Sequence, residues 1–356
     1  MLGIIMAGGQ GSRLMPLTES RPKPMVEVLG RPVIDYVKEA MVQAGIDEII
    51  VTTGYRGEQL GEHIASWPAN SDVVGLKARV NQESTPMGTA GSVGLLRSSI
   101  RSTCVVGSGD AVASFDIKAL LDAHRKNGAK VTMALWEVED PTEFGIVGLS
   151  LDPKGQVDGD LRSGFIRRFL EKPTRQEAFS NVINAGLYIL EPEVFEHIPE
   201  GEKFDFSKQL FPHLLELGWP MYAQAIDGVW FDVGQPSELL RAQETLINDY
   251  DRLPFTYPLS YHLVDGNLLA ESAILSGQLT SSVVGSNCQL GQDSEVRDSL
   301  IMQGCSIGAT TKIHRSILGR NVTVPQGVIV EDCVIGDDVQ LESASTYSNQ
   351  RISQFD

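Results

Sequence analysis

The sequence predicts an α/β unit with a Rossmann-like, mostly parallel sheet flanked by helices, followed by a parallel β-helix. Three observations lead there. Up to about residue 250, short apolar runs alternate with amphipathic stretches, which is the pattern of βαβ units covered on both faces. From about Leu268 onward, branched aliphatics recur near six-residue spacing and are often followed by glycine, as in a coil whose short strands each place one aliphatic in a stacked interior column. Between them, 252–267 carries Pro254, Tyr257, Pro258 and Tyr261 and reads as a connector. The division is therefore 1–250, a linker at 251–267, and 268–356.

Strands are expected at Leu2–Met6, Glu48–Thr53, Thr103–Val106, Lys130–Glu137, Ile183–Leu190 and Met221–Ile226. Helices are expected at Pro32–Ala44, Glu58–Ser66, Thr89–Arg97, Ile117–Asn127, Phe206–Leu217 and Pro236–Asn248. The first helix has Pro32 near its N1 position and Gly45 just past its end, where helices prefer those residues. The repeats include Val284-Gly285, Leu290-Gly291, Val296, Ile301, Ile307-Gly308, Ile313, Leu318-Gly319 and Ile335-Gly336. Five-residue steps at Ile301 and Leu318, and a looser run after Asn321, imply irregular corners.

Composition narrows the function. The 356 residues carry 29 Lys+Arg against 46 Asp+Glu, a net charge of −17. That argues against a general nucleic-acid or acidic-membrane binder, since both partners require a basic footprint. The opening apolar run, Leu2 to Ala7, lacks a charged flank and is too short for a signal peptide or a membrane span. Cys104, Cys288, Cys305 and Cys333 form no CxxC pair and are too sparse for a disulfide scaffold. A soluble protein of a reducing, cytoplasmic compartment is expected.

The segment Met6-Ala7-Gly8-Gly9-Gln10-Gly11-Ser12-Arg13-Leu14, continuing to Pro22-Lys23-Pro24, follows the first strand, where open α/β sheets bind ligands. Glycines there let backbone N–H groups approach a phosphate and take positive φ. Residues 1–31 hold four basic residues (Arg13, Arg21, Lys23, Arg31) against two acidic ones (Glu19, Glu27), a local excess suited to a polyphosphate. No GK pair follows, so the loop is not a Walker A. A dinucleotide fingerprint would need glycine where Leu14 stands, which argues against an oxidoreductase.

These residues resemble the opening of the sugar-1-phosphate nucleotidylyltransferases, GGxGTRLxPLT followed by PKPM, with Ser12 in place of the usual Thr. The resemblance implies that Ala7, Gly8, Gly9, Gly11 and Ser12 wrap a triphosphate, with Arg13 and Lys23 on its phosphates. Gln82 to Gly91 (QESTPMGTAG) is similar to the segment that reads the nucleobase, with Gln82, Met87, Gly88 and Thr89 as candidates. A side-chain amide offers an adjacent donor and acceptor to a base edge. The GTAG form is most similar to guanylyltransferases that use mannose-1-phosphate.

The same resemblance makes Asp110, in Gly107-Ser108-Gly109-Asp110, and Asp232, in Trp230-Phe231-Asp232-Val233-Gly234, the carboxylates of a Mg²⁺ site. Gly109 stands where the family more often has Asn. On the sugar side it implies Gly145 in Glu143-Phe144-Gly145, Glu171 and Lys172 in the EKP element, and Asn184 in Asn-Ala-Gly. Lys172 is expected on the sugar-1-phosphate, and Glu171 and Asn184 on the sugar. The implied reaction is in-line attack of a hexose-1-phosphate on the α-phosphorus of an NTP, which is mostly a matter of positioning and charge neutralisation.

The resemblance further implies a left-handed β-helix used for self-association and regulation. Cys288, Cys305 and Cys333 are expected as inert fillers of small interior positions. His314 raises the alternative of a repeat-type acyltransferase, but no basic CoA patch accompanies it, and an exposed coil histidine is the plainer reading. A catalytically silent, NDP-sugar-binding regulatory paralogue is the other alternative, and the intact Arg13, Lys23, Asp110, Lys172 and Asp232 argue against it.

Overall fold

The structure, a computed structural model, describes residues 1–54, 56–69, 75–158 and 161–355. Packing divides the chain into two units that do not follow chain order. One comprises Met1–Gly9 and Ile34–Trp230; the other comprises Gln10–Val33 and Phe231–Asp356. No helix among the described residues is long and apolar enough to cross a membrane.

The first unit is built on a nine-stranded sheet: β1 Leu2–Ala7, β2 Glu48–Thr53, β3 Lys77–Gln82, β4 Cys104–Ser108, β5 Val131–Glu137, β6 Gly145–Ser150, β7 Ser163–Glu171, β8 Val182–Leu190 and β9 Met221–Ala225. Their spatial order is β3-β2-β1-β4-β8-β5-β9-β7-β6. The first four strands run parallel. Beyond them, β8 enters antiparallel between β4 and β5, so the sheet is parallel over the four strands β3-β2-β1-β4 and mixed beyond them. Helices α1 (Ile34–Gln43), α2 (Gly57–Ser66), α3 (Gly88–Gly94) and α4 (Ile117–Lys126) supply the expected alternation. One continuous core gathers Ile4, Val106, Met133, Leu135, Leu190, Phe206, Phe211 and Leu214.

Several expectations are corrected here. Pro32 is not at the start of α1. It lies in a two-residue strand, Arg31–Pro32, paired with Glu27–Val28, and the helix begins at Ile34. The stretch expected as one helix from Phe206 to Leu217 is a π-turn at Phe206–Leu210 followed by α5, Phe211–Glu216. Pro212 has no N–H to donate to the preceding turn, so the chain cannot join the two as one regular helix. Three strands escaped the sequence pattern. β3 is an edge strand with a polar composition, β6 is interrupted by Gly148, and in β7 the pairing register shifts between Ile166 and Arg168.

In the second unit, helix α6 (Pro236–Asn248) forms over the expected span, and a parallel β-helix follows. Its strands stack with a period of 17: Val284 pairs with Ile301, Ile301 with Leu318 and Leu318 with Ile335. The expected irregular corners are absent. Ser281, Asp298, Arg315, Asp332 and Asn349 all have positive φ and recur at the same 17-residue interval. The five-residue step from Val296 to Ile301 is thus the regular short corner of each coil. The register continues past Asn321 through Val324, Val330 and Ile335 to Ile352. Apolar side chains and the three cysteines fill the interior. Cys288 and Cys305 donate S–H to the Met302 and Gly319 carbonyls at 3.0 and 3.1 Å, and all four cysteines of the chain are free and buried. Burial pushes the Cys104 thiol up to about 12.

His314 is not an exposed coil residue. It is 7% exposed, with ring nitrogens 3.2 Å from Glu295 and 3.6 Å from Glu331. Coil stacking puts it between Arg297 and Glu331 on the adjoining turns, so a covered position beside two carboxylates replaces the expected solvated one.

Candidate functional site

The second unit brings three of the expected residues together. Gly11 has φ +65° and opens a single 3₁₀ turn, Ser12–Leu14. A Cβ on Gly11 would sit 2.8 Å from the Cβ of Lys23 and 3.1 Å from Thr18, so both the backbone conformation and the neighbours require glycine. The Thr18 hydroxyl donates to the Gly11 carbonyl at 2.9 Å. Lys23 lies in a second 3₁₀ turn bracketed by Pro22 and Pro24, which fix its φ neighbours. Its ammonium donates to the Asp232 carboxylate at 2.9 Å while the side chain is only 9% exposed. The Arg13 guanidinium lies 3.8 Å from the other oxygen of Asp232, and the lack of a side chain on Gly234 leaves room for that approach. Two cations thus flank one carboxylate beside the glycine turn.

The local basic excess is smaller than composition suggested. Arg21 is buried and paired with Asp337, and Arg31 is buried and donates to the Thr256 carbonyl at 2.7 Å. Of the four basic residues at the opening, Arg13 and Lys23 are the ones turned to Asp232.

In the first unit, Ala7, Gly8 and Gly9 leave the end of β1, and Gly8 and Gly9 are exposed. Gln82 ends β3 and is exposed. The adjacent Glu83 was not singled out from sequence, yet it organises this turn. Its carboxylate accepts the Met87 N–H at 3.0 Å and the Ser92 hydroxyl, pinning the entry to α3. Gly88 has φ +72°, and a Cβ there would meet the Phe204 carbonyl oxygen at 2.6 Å. The Thr89 hydroxyl donates to Asp205 at 2.9 Å and accepts the Phe206 N–H at 3.0 Å, which ties α3 to the segment after it. Asp205 in turn caps the π-turn by accepting from Ser207 and Lys208 N–H groups. Asp205 carries the sequence signal of an N-cap acid just ahead of a helical turn, whereas Glu83, four residues before Met87, carries none.

At the end of β4, Asp110 accepts a hydrogen bond from Ser108. Gly109 donates its N–H to the Met6 carbonyl at 2.9 Å, and a Cβ there would lie 3.0–3.1 Å from Ile5 and Met6. The close approach to β1 explains why this position is glycine. Among the residues expected on the sugar, Glu171 pairs in register with Gly145, and a Cβ on Gly145 would sit 2.7 Å from the Glu171 carboxylate. Burial, reinforced by the nearby charge of Asp205, pushes the Glu171 carboxyl above its usual range. Lys172 takes φ +49°, a conformation a non-glycine residue adopts only when its surroundings hold it there; its N–H donates to the Phe144 carbonyl at 2.9 Å. Its ammonium makes a loose, exposed contact with Glu143 at 3.6 Å. Asn184 is engaged with its neighbours: its amide donates to Tyr188 and Ser207 and its oxygen accepts from Gly186. The Trp230 indole donates to the Ala185 carbonyl at 2.9 Å and packs edge-on against Phe144, supporting the segments that carry Gly145 and Asn184.

Among the described residues, no group of three or more His, Cys, Asp or Glu side chains is arranged to hold a metal ion. Asp110 in the first unit and Asp232 in the second are each hard oxygen donors, the ligand type Mg²⁺ takes when it binds through one or two carboxylates and keeps its waters and substrate phosphates.

A nucleotidyl transferase family profile matches residues 2–249, and the profile of the GMPPB C-terminal domain matches 270–354. The chain is 30% identical over 94% of its length to the mannose-1-phosphate guanylyltransferase catalytic subunit beta of Drosophila pseudoobscura pseudoobscura, covering 88% of that protein. It is 28% identical to the Danio rerio protein of that name, over 99% of this chain and 97% of the relative. It is also 28% identical to mannose-1-phosphate guanylyltransferase 1 of Arabidopsis thaliana, over 98% and 94%. The glycine turn with its paired cations and the match over residues 2–249 together place this chain in the nucleotidyl transferase family, as an enzyme of that class.

Proposed function

We propose that this enzyme transfers a guanylyl group from GTP to mannose-1-phosphate, with Mg²⁺, giving GDP-mannose and pyrophosphate. The observation that carries the reading is Asp232 flanked by Lys23 and Arg13 beside the Gly11 turn, since two cations held at a left-handed glycine turn suit a polyphosphate. The names of the relatives favour guanine and mannose over the alternatives, a glucose-1-phosphate thymidylyl-, uridylyl- or adenylyltransferase.

In this mechanism Ala7, Gly8, Gly9, Gly11 and Ser12 cradle the triphosphate, while Arg13 and Lys23 take up the charge of the departing pyrophosphate. Gln82, with the backbone of Met87 and Gly88, faces the base, and Thr89 steadies that turn. Lys172 holds the phosphate of the sugar; Glu171, Asn184 and Gly145 shape the sugar side. The attacking phosphate oxygen is already anionic, so no side chain has to act as a general base. When bound, Mg²⁺ held by Asp110 and Asp232 would neutralise and orient phosphate oxygens. Lys23 would then exchange its contact with Asp232 for one with phosphate.

The reading assigns catalysis to 1–250 and self-association to the β-helix of 268–356, in a cytoplasmic protein. A pyrophosphate-release matrix tests it: GTP, dTTP, UTP, ATP and CTP, each with mannose-1-phosphate, glucose-1-phosphate and N-acetylglucosamine-1-phosphate. Preference for GTP with mannose-1-phosphate is expected. A preference for dTTP or UTP with glucose-1-phosphate would correct the substrates and keep the mechanism. Silence across the matrix with GDP-mannose still bound would replace the enzyme reading by a regulatory one. Light scattering on the same preparation reads the oligomer, and a strict monomer would remove the self-association proposal.

A further inference from the structure

The segment that carries Arg13 and Lys23 packs with the β-helix as one unit, and the contacts are specific. The last described strand of the β-helix, Arg351–Ile352, pairs with Val334–Ile335. From its start, one nitrogen of the Arg351 guanidinium donates to the Arg13 carbonyl at 2.8 Å and to the Met15 carbonyl at 3.2 Å. The next residue of the turn, Pro16, lies against Gly336, where a Cβ would approach its ring to 3.1 Å. The Ser353 hydroxyl donates to Glu19 at 2.6 Å. Asp337 accepts from the Ser20 hydroxyl and from Arg21, and Arg320 pairs with Glu27.

We propose that the β-helix is the template that sets the phosphate-binding turn, and that Arg351 is a positioning residue for Arg13. The inference rests on the nucleotidyl-transfer role given to Arg13 above. Its physical basis is the turn itself. Ser12–Leu14 is one 3₁₀ turn, too short to satisfy its own C-terminal carbonyls. A cation placed on such carbonyls caps them and complements their partial negative charge. Arg351 does this at the backbone of Arg13, and so fixes the point from which the Arg13 side chain extends. Misplacement of a charge-stabilising group by about 1 Å is enough to lower turnover up to a hundredfold.

The test compares wild type with Arg351→Ala, Arg351→Lys and Arg315→Ala in the full-length chain. Arg315 makes an exposed two-point pair with Asp332 on a neighbouring coil and serves as the control for charge loss on the β-helix. Steady-state kinetics with GTP and mannose-1-phosphate are read beside backbone amide exchange at Leu14 and Met15, whose N–H groups close the turn. Arg351→Ala is expected to exchange faster at those amides and to lose about tenfold in kcat/KM for GTP, with KM for mannose-1-phosphate unchanged. Arg351→Lys should recover most of both, because one nitrogen makes both bonds; Arg315→Ala should match wild type.

Wild-type kinetics in Arg351→Ala would overturn the proposal, and so would unchanged amide exchange. Equal losses in Arg315→Ala would do the same, by showing a general effect of charge on the β-helix. If the wild type releases no pyrophosphate from any substrate pair, the transfer reading fails separately. Amide exchange and GTP affinity in Arg351→Ala then decide the positioning claim alone, and wild-type values for either would overturn it.

Discussion

Asp337 offers the sharpest energetic test of how the opening segment is held. Its carboxylate accepts from the Ser20 hydroxyl at 2.6 Å, from the Arg320 N–H at 2.8 Å and from the Arg21 guanidinium. Arg21 is 3% exposed, its Nε has no hydrogen-bond partner, and another of its guanidinium nitrogens donates to the Met302 sulfur at 3.0 Å. Substituting Asp337→Ala therefore leaves a guanidinium buried without its counter-ion, which costs about 3–5 kcal/mol when one partner of a buried pair is removed. The Asp337 side chain retains 12% exposure, so water can reach part of the gap and the low end, about 3 kcal/mol, is expected. That is a large share of the 5–15 kcal/mol typical of a folded domain. Replacing both members, Arg21→Met with Asp337→Leu, should recover all but about 1 kcal/mol, since no charge is then stranded. Urea unfolding followed by circular dichroism measures all three, and the double-mutant cycle isolates the coupling. A loss below about 1 kcal/mol for Asp337→Ala, or no recovery in the double variant, would refute the reasoning.

Other expectations follow from the same geometry. Gly11→Ala forces a Cβ to within 2.8 Å of Lys23 at φ +65° and should cut kcat/KM by about a hundredfold or more; activity within twofold of wild type would refute the packing argument. Asp110→Asn and Asp232→Asn should each abolish Mg²⁺-dependent pyrophosphate release, and retained turnover in either would remove that residue from the metal site. Glu171 gives a pH signature. Its folded carboxyl titrates above its usual range because of burial. Below the ordinary carboxylate value both states are protonated and nothing is lost; as pH rises through the raised folded value, ionisation destabilises the native state increasingly. Glu171→Gln should therefore gain stability over wild type as pH rises, in urea titrations from mildly acidic to neutral pH, and a flat difference would contradict the shift. Ile313→Ala, in the fully buried interior column, should cost about 2–5 kcal/mol, and a loss under about 1 kcal/mol would mean the coils can collapse around it.

The order of strands and helices was readable because a parallel strand buried on both faces must be apolar, as Leu2–Ala7 and Glu48–Thr53 largely are. β3 was not readable because an edge strand can be polar and still pair. The 17-residue coil period was visible only as six-residue spacing with slips. The slips become regular once Asp298, Arg315 and Asp332 are seen at the left-handed corners, because Asp and Asn tolerate that conformation. The site residues were identified from motifs, which specify residue types, while the roles of Glu83, Asp205 and Trp230 depend on contacts that motifs do not record.

Sequence alone therefore determined the two architectures, the glycine turn and the charged residues around it, because periodicity and φ > 0 requirements are local properties of the chain. Tertiary structure decided the rest. It showed that Arg21 and Arg31 are buried supports, that His314 is enclosed between glutamates, and that Arg13 is held through its backbone by Arg351, 338 residues away. Burial and pairing across such separations depend on which segments the fold brings together, and no local pattern encodes that.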